Sequence, residues 1–143
     1  GTLLVMIGGE EADVEKARPV FATCADPIVH LGPLGSGQVA KILNNLLFTA
    51  NLGAAMSALA LGESLGVPRE RLCEVITRGS ATSKALSSIA AFGGSLDNLA
   101  PIAGALLQKD CRHAATLAGK ASAPEGAVFD AADAALALME HPR

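Results

Sequence analysis

From Ser36 to Leu65 the chain reads SGQVAKILNNLLFTANLGAAMSALALGESL, nearly thirty residues without a proline. At ~1.5 Å per residue such a run makes a helix of roughly 45 Å. In a chain of 143 residues, everything else must pack around it. Val39, Ile42, Leu43, Leu46, Leu47, Ala50, Ala54, Ala58, Leu61 and Leu65 recur at spacings of three and four. The pattern leaves only a narrow polar strip, which predicts a helix covered on most sides. On that strip Lys41 and Asn45 stand one turn apart and project from the same face.

The flanks of this helix differ in kind. Before it, Thr2 to Ile7 reads as a buried strand and Glu10 to Cys24 as a helix, with Glu10, Glu11 and Asp13 at its positive end and Pro19 expected to kink it. Ala25-Asp26-Pro27 reads as a turn and Ile28 to Leu31 as a second strand, followed by a glycine-rich turn at Gly32, Gly35 and Gly37. Two strands do not make a sheet that stands alone in water, so these are expected to belong to a larger one. After the long helix, Gly66 serves as a C′ residue and Pro68 opens a helix from Arg69 to Thr77 with Leu72, Val75 and Ile76 inward. Ala85 to Phe92, Asn98 to about Ala118, and Glu125 to Glu140 complete a helical set, the last with Val128, Phe129, Ala132, Leu136 and Met139 on one side.

Composition narrows the functional classes. Half the residues are apolar and the net charge is -3, with four Phe and no Trp or Tyr. Neither a basic surface nor a stacking platform for nucleic acid is in view. Cys24, Cys73 and Cys111 are far apart and no His lies at metal-ligand spacing; neither a disulfide frame nor a metal site is expected, and a reducing, cytoplasmic setting fits. The apolar stretches are interrupted by Lys, Asn, Glu or Ser before the ~20 residues of a membrane span. The opening GTLLVMIGGEEAD lacks the basic region of a signal peptide.

Three groups of residues could carry chemistry. Lys41 lies in the second turn of an apolar helix, where an ammonium either snorkels to solvent or faces a cleft and exchanges a proton there. Asn44 and Asn45 beside it need hydrogen-bond partners if buried, structural or substrate. Lys109 and Asp110, in LLQKDCRHAATLA, have the look of a solvated helix face, with Asp110 and His113 at a spacing that suits a surface pair. Gly35-Ser36-Gly37 could cradle an anion at a helix start, or Ser36 could simply cap it.

Gly32-x-x-Gly35-x-Gly37-x-x-x-Lys41-x-x-Asn44-Asn45, the Ala/Gly-rich helix ending in LGV, and QKDCRHAATLA together resemble the C-terminal helical domain of the β-hydroxyacid dehydrogenases. That family includes 3-hydroxyisobutyrate dehydrogenase, tartronate semialdehyde reductase and, more distantly, 6-phosphogluconate dehydrogenase. The resemblance covers essentially the whole chain. It implies a mainly α fold, a helical bundle around one long central helix, with residues 1–31 as the end of a Rossmann domain and residues 32–143 as the helical substrate and dimerisation domain. It further implies Lys41 as the general acid/base, Asn45 with Asn44 as substrate-binding, and Lys109 with Asp110 as cofactor-binding, with NAD or NADP as cofactor and no metal.

The expected partners are a small hydroxyacid and a second copy of the chain in a homodimer or homotetramer. Gly53, Ala54, Ala55, Ala58 and Gly62 would allow close approach along the long helix; neither nucleic acid nor a membrane is expected. The family's GxGxxG fingerprint and Ser-Gly-Gly loop are not in this sequence, so the chain by itself is expected to be inactive. In the related imine reductases the lysine is typically replaced, so Lys41 favours a hydroxyacid or its semialdehyde. The rival reading is a non-catalytic helical oligomerisation module of the same fold.

Overall fold

The computed structural model describes residues 3–143. It contains two strands and six helices among those residues: β1 (Leu3–Ile7), α1 (Glu11–Phe21), β2 (Ala25–His30), α2 (Ser36–Ser64), α3 (Arg69–Arg78), α4 (Lys84–Ala91), α5 (Ala100–Lys120) and α6 (Ala127–Leu138). The fold is mainly α with a small β-α-β beginning, as the sequence predicts. Thr2, expected at the start of β1, lies outside the described residues.

The chain forms two compact units, residues 1–44 and 45–143. In the first, β1 and β2 pair in parallel, with Val5 opposite Ile28, Met6 opposite Val29 and Ile7 opposite His30, and α1 crosses between them with Val14 buried. The expected turn at Ala25-Asp26-Pro27 is instead the start of β2. Leu3 pairs with Ala25 and Val5 with Ile28, so β2 carries one extra residue there and forms a bulge, the position in a strand that tolerates a proline without an N–H. α1 stops at Phe21, short of the predicted Cys24. Pro19 supplies no N–H to the last turn, and Ala22 caps it back to Arg18 and Val20.

Within this unit the start of α2 packs on β1. A Cβ on Gly37 would stand 2.5 Å from the Met6 carbonyl oxygen, and one on Gly8 2.5 Å from the Pro33 carbonyl oxygen; only glycine lets these backbones meet. His30 Nε2 lies 2.8 Å from the Gly9 carbonyl oxygen and 3.1 Å from that of Gly32. Both partners accept, so this nitrogen carries the proton and ties the two post-strand turns together.

In the second unit, the α2 segment from Asn45 onward packs against α3, α5 and α6. Its inward residues are Leu46, Thr49, Ala50, Leu52 and Leu59. They share the core with Leu86, Ile89, Leu96, Leu107, Phe129 and Leu136. Gly66, at φ +85°, ends the helix in a Schellman turn: Val67 N–H donates to Gly62 O at 2.9 Å and Gly66 N–H to Glu63 O at 3.0 Å. Ser83 caps α4 by accepting from the Leu86 N–H.

Two sequence expectations about burial fail here. α2 is not covered on most sides: Leu47 and Leu61 are 55% and 60% exposed, and Leu65, just past its end, is 73% exposed. In α3, Val75 faces solvent and Cys73 takes the buried place. α2 is also long and apolar enough, by length and composition, to cross a membrane, with a mean hydropathy of 1.3 over its best window. The interruptions noted in the sequence are therefore too sparse to exclude a span by count alone. What occupies its inward face in this structure is protein.

Candidate functional site

The glycine-rich turn sets the start of α2, and with it the height of every polar residue along the helix. Ser36 Oγ donates to the Pro33 carbonyl oxygen at 2.8 Å. Gly37 and Gly8 stand against neighbouring backbone, so these two glycines serve strand-to-helix packing. Lys41, one turn further on, is half-buried, and Asn44 is exposed.

In the second unit, Asn45 meets the residues of the later motif. Asn45 Nδ2 donates to Asp110 Oδ2 at 2.6 Å, across 65 positions of sequence. Asp110 is 2% exposed, so the expected surface pairing with His113 does not form. A carboxylate taken out of water needs good partners, and Asn45 supplies a short, charge-assisted hydrogen bond. Lys109 Nζ stands 3.5 Å from Asp110 Oδ1 while its own side chain remains 54% exposed. The two adjacent residues thus divide: the lysine faces outward from α5, and the aspartate faces α2.

Two residues that the sequence motifs do not single out complete this seam. Thr49, fully buried, donates its hydroxyl to the Asn45 carbonyl oxygen at 2.8 Å. Cys111, fully buried directly after Asp110 in the chain, has its thiol pushed up by that burial. The signal for both was positional: Thr49 lies one helical turn after Asn45, and Cys111 directly follows Asp110.

Fold and residues can now be set beside known proteins. Residues 35–140 match the model of the family described as the NAD-binding region of NADP-dependent 3-hydroxyisobutyrate dehydrogenase. A stretch of 98 residues, 68% of this chain and 33% of the relative, is 39% identical to an NAD-dependent L-serine dehydrogenase of Pseudomonas aeruginosa. Another of 88 residues, 62% of this chain and 29% of the relative, is 39% identical to a 2-(hydroxymethyl)glutarate dehydrogenase of Eubacterium barkeri.

Among solved structures, a 3-hydroxyisobutyrate dehydrogenase of Mycobacterium tuberculosis with L-serine superposes with a TM-score of 0.77 at 29% identity. That superposition covers 98% of this chain and 51% of the other. The chain thus spans about a third of the length of the curated relatives it matches. The family is NAD(P)-binding, and Lys41, Asn45, Lys109 and Asp110 all fall inside the matched residues. On this match, which takes in most of its residues, the chain belongs to the 3-hydroxyisobutyrate dehydrogenase-like family, in its helical NAD-binding region.

Proposed function

We propose that this sequence is the helical part of an NAD(P)-dependent oxidoreductase that interconverts a small 3-hydroxy acid and its semialdehyde, and that it is inactive without a nucleotide-binding half. The observation that carries the reading is the Asn45–Asp110 bond, which joins the two family motifs through a buried polar contact. The names of the three relatives point to one substrate core. L-serine, 3-hydroxyisobutyrate and 2-(hydroxymethyl)glutarate all contain a primary alcohol one carbon removed from the carbon that bears the carboxylate.

When bound, NAD(P) supplies or accepts the hydride at the alcohol carbon. Lys41 holds the proton: its ammonium gives it to the oxygen as alkoxide charge develops, and the neutral amine takes it back in oxidation. Asn45, one turn on along α2, hydrogen-bonds the substrate, with Asn44 beside it. Lys109, exposed on α5, fits a role toward the cofactor, because an outward ammonium can meet its electronegative groups.

The test uses an intact polypeptide carrying these residues with a nucleotide-binding half. NAD(P)+ reduction is followed with the three hydroxy acids, wild type beside Lys41→Ala. Loss of about 10²–10⁴ in kcat, with the fold retained, is expected. Undiminished turnover in the variant, or none in the wild type with any of the three, refutes the reading. The apolar line of Leu47 and Leu61 on α2 and Leu65 just past its end, all largely exposed, favours pairing with a second copy. It is also the observation behind the rival reading, a non-catalytic oligomerisation module, whose mark is a stable dimer that binds neither dinucleotide nor hydroxy acid.

A further inference from the structure

Asn45, Asp110 and Lys109 form one chain of contacts within the second unit. Asn45 Nδ2 donates to Asp110 Oδ2 at 2.6 Å, and the other carboxylate oxygen, Oδ1, lies 3.5 Å from the Lys109 ammonium. The two ends of that ion pair differ in exposure, 2% for the Asp110 side chain and 54% for that of Lys109. With one partner out of water, such a pair is screened less by salt than one held wholly in solvent. Asp110 thus joins a residue of α2 to a cation on the surface of α5.

Each link removes freedom from the next. A carboxylate turns readily about its terminal torsion. The short bond from Asn45 fixes that plane and leaves Oδ1 on the side of Lys109. A lysine carries its charge on four flexible carbons and is among the side chains that lose most freedom on ordering. Held to a fixed oxygen, the Lys109 ammonium has given up part of that freedom before a ligand arrives.

We propose that Asn45 is a positioning residue for the cofactor side of the site: through the Asp110 carboxylate it holds the Lys109 ammonium in place for the negatively charged dinucleotide. The role takes one of the two Nδ2 hydrogens and no part of the proton transfer. Charge counting alone predicts the opposite sign. A carboxylate beside Lys109 lowers the positive potential that a phosphate meets, so on that ground its removal tightens dinucleotide binding. Positioning predicts that binding loosens. It also predicts loosening when Asn45 is cut back, a change that moves no charge.

This inference rests on the reading of Lys109 as cofactor-binding, and one set of titrations separates the two. With the intact polypeptide and no hydroxy acid present, the Kd of NADH and of NADPH is measured by isothermal titration calorimetry. The proteins are wild type, Asn45→Ala, Asp110→Asn, Lys109→Ala, and each of the first two changes combined with Lys109→Ala. Asn45→Ala and Asp110→Asn should each raise Kd about 3–10-fold, the scale of a coupling carried through a neighbouring residue. In the Lys109→Ala background neither should raise it further.

A Kd that is unchanged or lowered in Asn45→Ala and Asp110→Asn, or raised as much without Lys109 as with it, overturns the positioning role; the cofactor reading then stands if Lys109→Ala itself weakens binding. A Kd unmoved by Lys109→Ala overturns both. A measurement with Asn45 and Asp110 intact guards against misfolding. The tighter-binding dinucleotide, added to saturation, should shift the Asn45 side-chain NH2 signals of the wild-type protein and leave those of Lys109→Ala in place. Signals unmoved in the wild type, or moved alike in both, refute the link.

Discussion

Gly53 is the position where a single methyl group tests the packing of the second unit. It lies inside α2, where helix propensity alone favours Gly→Ala by about 1 kcal/mol. The structure opposes that preference. A Cβ built on Gly53 would overlap the Ala131 carbonyl oxygen, and would stand 3.0 Å from its carbonyl carbon and 3.2 Å from the Ala135 nitrogen. The overlap with the carbonyl oxygen sets the demand, so α6 must retreat by about 1 Å or more, and a gap of ~1 Å already forfeits about half of each contact's attraction.

The contacts at risk include Ala132, Ala135 and Leu136, all fully buried. Overpacking of this kind costs about 1–3 kcal/mol or more, and rigid backbone on the receiving side places it at the upper end. Set against the propensity gain, a net loss of about 2 kcal/mol is expected. At about 2.1 cal/mol/K per residue, a chain of 143 residues loses about 3 °C of Tm per kcal/mol. Gly53→Ala should therefore melt about 6 °C lower.

Gly119 provides the control. It also lies in a helix, but a Cβ there meets nothing within 4 Å. Gly119→Ala should raise Tm by about 1–3 °C through propensity and unfolded-chain entropy alone. Differential scanning calorimetry on both variants decides the matter by sign. If Gly53→Ala also raises Tm, the close α2–α6 crossing is not present and the account of the core is wrong.

Two further outcomes follow from the surface of the same unit. Arg143 forks onto Asp133 at 2.9 and 2.8 Å, reaches Glu125 at 2.6 Å, and lies 4.8 Å over the Phe129 ring; with its acidic partners partly exposed, Arg143→Ala should cost about 1–2 kcal/mol and Arg143→Lys recover less than half of it, since an ammonium reproduces neither the fork nor the stack. Calorimetry showing no loss in the alanine variant would mean that the cluster is ornamental to stability. Leu47, Ala54, Ala58, Leu61 and Leu65 recur at seven, four, three and four along α2, the spacing of a helix-pairing seam; Leu61→Glu with Leu65→Glu should shift a dimer to monomer in sedimentation velocity at micromolar concentration, and an unchanged assembly would place the interface elsewhere.

The helices were legible because their signals are local. Gly66 after the last apolar residue and Pro68 before Arg69 are end markers that act over one turn, and the structure uses both of them. The strand-like reading of Ala25-Asp26-Pro27 was not available locally: proline and aspartate favour a turn, and only pairing with β1 makes the same residues a bulged strand. The face of α2 was likewise undetermined. Its apolar residues surround the helix, so periodicity could not say that Leu52 and Leu59 point inward while Leu61 and Leu65 point out. Gly53 and Gly62, expected to admit a second subunit, are filled by Ala131 and Leu72 of the same chain; a glycine marks close approach but not by whom.

The polar residues show where the same limit bears on function. Asp110 beside Lys109, with Arg112 and His113 following, has every local mark of a solvated face, and the charge pattern alone argues for a surface pair. Its burial depends on a residue 65 positions away that is itself one turn from the lysine of the earlier motif. Neither motif by itself implies the other. A buried carboxylate bonded to the Asn45 amide, with the Lys109 ammonium beside it, is costly to desolvate, and an apolar pair of the same shape would give as much stability or more. The contact is therefore poorly explained by folding stability alone. What the pair does supply is a defined direction for the Asn45 amide, which an apolar contact cannot.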